Sequence, residues 1–166
     1  APPGEESARR AVTLRAGPVI DRLIADSGAL ETEPARDRAR AALTDYAVDA
    51  LLAPIGPFAA TAEAEGFDIE RIAAATGLGV ARVCRRLTTL PTAPGRPRAG
   101  YLAANGAGAV LELRALPGFH PVRHATFCPL WVVCQAPQTP ARTLRQLVAF
   151  PNGQRFVFVA RARPTG

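Results

Sequence analysis

At 166 residues, 48% apolar and 20% charged, with three cysteines and no methionine, the chain is long enough to bury one or two small cores without disulfide staples. No uninterrupted apolar run approaches the roughly 18 residues of a membrane span, and the opening Ala-Pro-Pro-Gly-Glu-Glu-Ser carries no secretory pattern. These features set aside transmembrane and disulfide-scaffold classes and give the expectation of a cytoplasmic protein. The formal charge of +6 hides a segregation: residues 1–80 hold 8 Arg against 13 Asp and Glu, a net of 8 − 13 = −5, whereas residues 81–166 hold 12 Arg against Glu112 alone, a net of 12 − 1 = +11. Every basic residue is arginine, a bias that a GC-rich genome produces without selection. The segregation speaks more directly, because a half so positive attracts a polyanion: DNA, a nucleotide-bearing ligand such as coenzyme A, or an acidic partner.

In chain order, Ser7 to Ala16 predicts a first helix, and Pro18, suited to a first helical turn, opens a second with Val19, Ile20, Leu23 and Ile24 on one face, ending near Gly28. Pro34 opens a third, with Leu43, Tyr46, Ala47, Ala50 and Leu51 at helical spacing, and Pro54 stops it. Pro57 to Glu65 is a short, alanine-rich fourth closed by Gly66. Residues 67–90 then give two short helices around a glycine turn, with Asp68 capping the first, Gly77 and Gly79 breaking it, and the second running from Val80 to Leu90. This is the outline of a helix-turn-helix, and also that of an αα-hairpin packed inside a helical domain, a pairing common in proteins that do not bind DNA. On the helical wheel Val80, Val83 and Leu87 face inward and Arg82, Arg85 and Arg86 outward, an arrangement suited to phosphate contacts.

Pro91 to Arg98 is a stiff, proline-rich linker, and beyond it the pattern changes to strands. Tyr101 to Ala104, a turn at Asn105-Gly106 and Val110 to Leu116 form one hairpin. Leu130 to Gln135 is an apolar, β-branched run that reads as a strand. Thr143 to Phe150 and Gln154 to Arg161 flank Pro151-Asn152-Gly153 as a second hairpin, whose last strand has so few polar positions that both its faces are expected to be covered. The predicted architecture is α+β: a helical region over 1–90 with the hairpin at 67–90, a linker over 91–98, and a C-terminal antiparallel sheet of four or five strands over 99–166.

The cysteines carry the sharpest chemical signal. Cys84 lies in Val-Cys-Arg-Arg-Leu, Cys128 in Phe-Cys-Pro-Leu-Trp, and Cys134 six residues further on. Free cysteine commonly behaves as a small buried hydrophobe, yet three thiolates can hold an iron-sulfur centre or zinc if the fold brings them together. A Cys-Pro step also ends the ligand run of bacterial ferredoxins. Arg85, Arg86 and Arg123 are placed to lower thiol pKa values and to offset the negative charge of a thiolate-ligated cluster.

From about Leu43 to Ala162 the chain resembles the C-terminal part of the short-chain fatty acyl transcriptional regulators. The resemblance is carried by Phe67 to Ala73, by Val83-Cys84-Arg85-Arg86-Leu87-Thr88-Thr89-Leu90, by Cys128-Pro129-Leu130-Trp131-Val132-Val133, by Arg142 to Gln146, and by Pro151-Asn152-Gly153 with Phe156 to Arg161. It implies a sensory domain that follows the tail of an ImmA/IrrE-like region, reads acyl-coenzyme A status, and holds an iron-sulfur cluster through its cysteines. His-Glu-x-x-His is absent: the two histidines, His120 and His124, are separated by Pro121 and lack the glutamate, so no zinc peptidase site is present. The family's DNA-binding domain would precede Ala1, so the chain reads as a fragment or as a short relative acting through a partner. Gln135-Ala136-Pro137 departs from the acidic residue and phenylalanine expected after the tryptophan segment.

The leading expectation is therefore a [4Fe-4S] cluster on Cys84, Cys128 and Cys134, tying the helical half to the sheet half and leaving one iron open; zinc with His124 as fourth ligand is the alternative. Arg96, Arg98 and Arg142 are candidates for the phosphates of a short-chain acyl-coenzyme A, with apolar strand residues receiving the acyl chain. The rival expectation is DNA binding by residues 67–90 through Arg82, Arg85 and Arg86. Possible partners are thus acyl-coenzyme A, DNA directly or through a missing domain, and a second copy of the chain. With Ser7 and Ser27 as its only serines, the chain shows no nucleophile, acid and base constellation, and an enzyme is not expected.

Overall fold

The computed structural model describes residues 4–114, 116, 119, 128–140 and 142–162. The fold is α+β, dividing into two compact units, residues 1–98 and 99–166. The first holds five helices: α1 Glu5–Ala25, α2 Glu33–Leu52, α3 Ile55–Ala64, α4 Ile69–Thr76 and α5 Val80–Leu87. The second holds β1 Tyr101–Ala104, β2 Val110–Arg114, the short helix α6 Val132–Gln135 with a 3-10 turn behind it, β3 Leu144–Ala149 and β4 Arg155–Ala160.

Two helices expected at the N-terminus are one. α1 runs through Pro18, although a proline inside a helix forfeits a hydrogen bond and costs about 3 kcal/mol. The compensation is visible in the buried positions Ala8, Val12, Ile20 and Ile24, which with half-buried Ala16 recur every fourth residue on both sides of the proline. Each fully buried isoleucine contributes on the order of 2 kcal/mol, so continuing the stripe outweighs the interruption. Val19 and Leu23, expected beside Ile20 and Ile24, are more than half exposed. α2 lies antiparallel to α1: Arg9 pairs with Asp45 near one end, and Asp21 with Arg40, at 2.9 Å, near the other. Thr32 caps α2 by accepting from Ala35 N–H, and Pro34 sits in its first turn.

The main core of this unit gathers Ala53, Phe58, Ala62, Ile69, Ile72 and Val83, with Leu78, Val80, Cys84 and Leu87 packed against it. α3 and α4 meet through a tight reversal in which Gly66 and Phe67 both take positive φ, 61° and 59°. Phe67 accepts that disfavoured conformation while its ring packs on the core and its N–H reaches the carbonyl of Ala62 at 2.8 Å. Asp68 caps α4, accepting from Glu70 and Arg71 N–H, and Gly77 ends it in the left-handed region at φ 69°.

In the second unit the described strands form two separate two-stranded antiparallel sheets, β1-β2 and β3-β4, and not one sheet of four or five strands. Asn105 organises the first turn by accepting from Ala107 and Ala109 N–H. At the mouth of this hairpin Gly100 passes so close to Leu116 that a Cβ there would stand 2.8 Å from the leucine Cβ. In the second hairpin Leu147 faces Val157 and Gln146 faces Phe158. The inner face packs Phe150, Phe156 and Phe158 with Phe119 and Trp131, the ring centroids 5.3–6.4 Å apart. The outer face of β4 is open, contrary to the expectation that both its faces are covered: Leu147 and Val157 are 70% and 68% exposed, between Arg145 and Arg155.

The Leu130–Gln135 run is helical where a strand is expected. Pro129 sits inside a turn closed by Trp131 N–H on the carbonyl of Cys128, and helical bonding begins immediately after it. Burying Val132 and Ala136 on one side of that helix overrides the β preference of the paired valines.

Candidate functional site

Cys84 sits on α5, a helix wedged between two kinds of surface. Val80, Val83, Cys84 and Leu87 turn toward the apolar cluster formed with α3 and α4. Toward α2 the same helix presents arginines. Arg82 Nε donates to Asp49 Oδ1 at 2.8 Å, Arg85 Nε to Asp49 Oδ2 at 2.9 Å, and Arg86 Nε to the carbonyl of Ala53 at 2.7 Å. Arg82 also pairs with Glu5 at the start of α1, 3.1 Å away, and Arg86 donates to Thr89 Oγ1. Asp49 is 1% exposed, Arg82 7% and Arg86 4%.

Those contacts correct the expected outward face. A helix eight residues long, covered on both sides, has no exposed stripe on which to place Arg82 and Arg86; Asp49 and Glu5 offset the burial of the Arg82 guanidinium, and the Ala53 carbonyl and Thr89 hydroxyl that of Arg86. Burial draws the Asp49 carboxyl upward, but the hydrogen bonds and charges of Arg85 and Arg82 outweigh it and hold the group below the usual carboxylate range. The hairpin of α4 and α5 is present, while of the arginines proposed to read DNA from it Arg82 and Arg86 are buried and Arg85 is half-buried against Asp49.

The thiol of Cys84 is likewise not activated. Burial pushes it up to about 11, against a smaller downward pull from Arg85, so at neutral pH the free side chain is a protonated thiol inside an apolar cluster. Arg86, expected to temper this thiol, is committed to Ala53 and Thr89.

Cys128 and Cys134 occupy a different setting, a turn followed by α6. Cys128, Pro129 and Leu130 are exposed and Cys134 is half-buried, its N–H bonded to the carbonyl of Trp131 at 2.9 Å. Trp131 roots this segment in the aromatic cluster, 5.3 Å from Phe158 and 6.1 Å from Phe119 between centroids. Two glutamines secure the turn from the other side: Gln146 of β3 accepts from Val132 N–H at 3.2 Å and donates to the carbonyl of Leu130 at 3.1 Å, and Gln135 donates to the same carbonyl, also at 3.1 Å.

Two of the three candidate thiols thus share one short element, and the third is packed in the core of the other unit. Among the described residues no group of three His, Cys, Asp or Glu side chains is arranged to hold a metal ion. The soft donor chemistry suits an iron-sulfur cluster or zinc, but the full ligand set is not assembled. His120, His124 and Arg123 lie outside the described residues.

Of the candidate phosphate ligands, Arg96 is engaged within its own unit, donating to the carbonyl of Pro91 at 2.7 Å and pairing with Glu63. Arg98 and Arg142 are exposed. Sequence reasoning missed Asp49 and Gln146. For Asp49 the available signal was a lone acid in the otherwise apolar stretch Ala47 to Leu52; for Gln146, a polar residue at an inward position of a strand whose inward neighbours are Leu144 and Val148.

No described helix is long and apolar enough to cross a membrane. Residues 101–165 match the family model described as the short-chain fatty acyl coenzyme A regulator, C-terminal. Over 145 residues, 85% of this chain and 31% of the relative, the chain is 35% identical to the propionyl-CoA carboxylase regulator of Cereibacter sphaeroides. It is 34% identical to the HTH-type transcriptional regulator PrpR of Mycobacterium tuberculosis, across 86% of this chain and 29% of that protein, and 29% identical to the HTH-type regulator RamB of the same species, across 96% and 34%. Among solved structures, one titled as a transcriptional regulator of M. tuberculosis superposes with a TM-score of 0.83 at 30% identity, covering 95% of this chain and 48% of that one. The chain spans about a third of the length of these curated relatives, which are named as regulators and not as enzymes.

Proposed function

We propose, on the premise that the chain belongs to the short-chain fatty acyl coenzyme A regulator family through residues 101–165, that it is the sensory part of a cytoplasmic transcriptional regulator of short-chain acyl-coenzyme A metabolism. The observation that carries this reading is the match over residues 101–165, nearly all of the second unit, which holds the anchored cysteine turn and the exposed Arg142. That region has seven arginines and one acidic residue between 99 and 166, a balance suited to a ligand bearing several phosphates. Arg98 and Arg142 are the proposed phosphate contacts, and Arg96 is the weaker third because Glu63 already occupies its guanidinium. DNA contact is assigned away from Arg82, Arg85 and Arg86, the first and last of which are buried while Arg85 is bonded to Asp49, to another part of the regulator or a partner.

Cys128 and Cys134, with Cys84 as third ligand, are proposed to hold a [4Fe-4S] cluster, with zinc as the alternative. Bound there, a cluster would supply a redox- or ligand-sensitive centre. The support is the thiol chemistry and the family resemblance; recruitment of Cys84 requires its thiol to leave the apolar cluster and lose its proton.

The test is iron, sulfide and zinc analysis of protein purified without oxygen, on the parent chain and on Cys84→Ser, Cys128→Ser and Cys134→Ser separately, alongside calorimetry with propionyl-coenzyme A. Iron and sulfide lost in all three variants supports the cluster. Retention in Cys84→Ser makes Cys84 a core residue, and absence of any metal from the parent chain removes the cluster while leaving acyl-coenzyme A sensing to stand or fall on the calorimetry.

A further inference from the structure

The two hydrogen bonds of Gln146 are unusual in what they join. A side chain on the inner face of β3 reaches a segment 14 to 16 residues earlier and, with one amide, bonds two backbone groups of the turn: the carbonyl of Leu130, to which Gln135 also donates, and the first N–H of α6, on Val132. The first N–H groups of a helix have no partner within it, and Trp131, which precedes Val132, offers no side-chain cap. Gln146 therefore supplies the missing cap from another element, and the same amide anchors the turn on whose first residue the exposed Cys128 stands.

We infer that Gln146 is a positioning residue for the cysteine turn: by holding Leu130 and Val132 together it fixes the geometry in which Cys128 is presented to solvent and Cys134 is sheltered. The inference rests on the proposed function only for its biological meaning, since the clamp is measured on the thiols themselves whether or not a cluster or ligand binds. An amide is required because one end must accept and the other donate. An ionised carboxylate of the same shape would accept from Val132 and direct a second lone pair at the Leu130 carbonyl; the protonated acid would donate again.

The experiment is site-resolved alkylation of the full chain by mass spectrometry, comparing Gln146→Glu and Gln146→Leu with the parent at pH 7.5 and pH 5, and expressing every rate as a ratio to the parent at the same pH. Losing both bonds corresponds to about a tenfold rise in the labelling of Cys134. We expect that rise at pH 7.5 in Gln146→Leu, a smaller rise in Gln146→Glu, whose carboxylate still accepts from Val132 N–H, and recovery toward the parent at pH 5 in Gln146→Glu alone. A residue that served only to fill space would give no such pH-reversible difference. Ratios near one for both variants at pH 7.5, in protein whose far-ultraviolet circular dichroism is unchanged, would overturn the inference. So would a raised ratio in Gln146→Glu that does not fall at pH 5.

Discussion

The two units are held together by different physics. The helical unit contributes eleven of the thirteen buried apolar residues in the described structure, from Ala8 to Val83, and closes over a buried ionic centre in which Asp49 serves Arg82 and Arg85. The strand unit contributes only Val132 and Ala136 to that set and relies on half-buried rings, Phe119, Trp131, Phe150, Phe156 and Phe158, meeting edge to face or at a tilt. The difference teaches where change can be tolerated. Close-packed aliphatic cores and paired buried charges resist rearrangement, whereas a shallow cluster on a two-stranded hairpin can shift with less loss. The candidate sensing turn sits on the second kind of support.

The contrast can be broken most forcefully at Asp49. Asp49→Ala removes the carboxylate shared by buried Arg82, which keeps Glu5, and half-buried Arg85, and is expected to cost about 3 kcal/mol, read as a loss of helical signal in urea unfolding. Trp131 is the sole tryptophan and belongs to the strand unit, so its fluorescence midpoint is expected to stay in place; an equal shift of both signals would show the two units unfolding as one. The same ionic centre predicts an acid limit. The Asp49 carboxyl is held low in the folded state, so its contribution is present above its unfolded value and fades as pH drops through the folded one. Helical stability is thus expected to fall below about pH 4, as followed by circular dichroism during acid titration.

Phe119→Ala strikes the other unit, removing a ring that touches Trp131, Phe150, Phe156 and Phe158. A loss of about 3 kcal/mol is expected, seen this time in tryptophan fluorescence with the helical midpoint unmoved. The gentlest probe compares thiols: at pH 7.5 exposed Cys128 is expected to react with a maleimide well before Cys84, whose thiol is buried and raised to about 11. Because the folded value lies above the unfolded one, the stability contributed by the neutral Cys84 thiol is intact below about pH 8.5 and is lost as pH rises toward 11. Cys84→Ala is expected to reduce that alkaline loss in a pH series of urea midpoints. An unchanged alkaline profile would show that Cys84 does not cause it.

Much of the secondary structure was legible in the residues. The helix start at Pro34, the cap at Asp68, the glycine break at Gly77, Asn105-Gly106 and Pro151-Asn152-Gly153 all mark local events, decided by side chains a few positions apart. What was not legible depended on distant partners. Pro18 reads as a helix start until the stripe from Ala8 to Ile24 finds α2 to cover it. Arg82 and Arg86 read as surface residues until Asp49 and the Ala53 carbonyl, 33 residues earlier, supply their partners. Val132 and Val133 read as strand until Gln146 closes the helix start. For the site, the cysteine positions and the C-terminal family were readable from motif residues, but the split of the thiols between a core and a surface turn was a matter of packing that no spacing encodes.

The Asp49 centre also bears on how the helical unit is assembled in time. α1 and α2 are neighbours in sequence and can pair early, yet the place they leave for Asp49 is satisfied only when α5 arrives with Arg82 and Arg85. Until then the carboxylate must stay hydrated, which keeps the end of α2 from closing. Docking of α5 is then expected to be the step that commits the unit. Amide hydrogens at the end of α2 and throughout α5 are accordingly expected to exchange together, with a single opening free energy, although nearly thirty residues separate them along the chain.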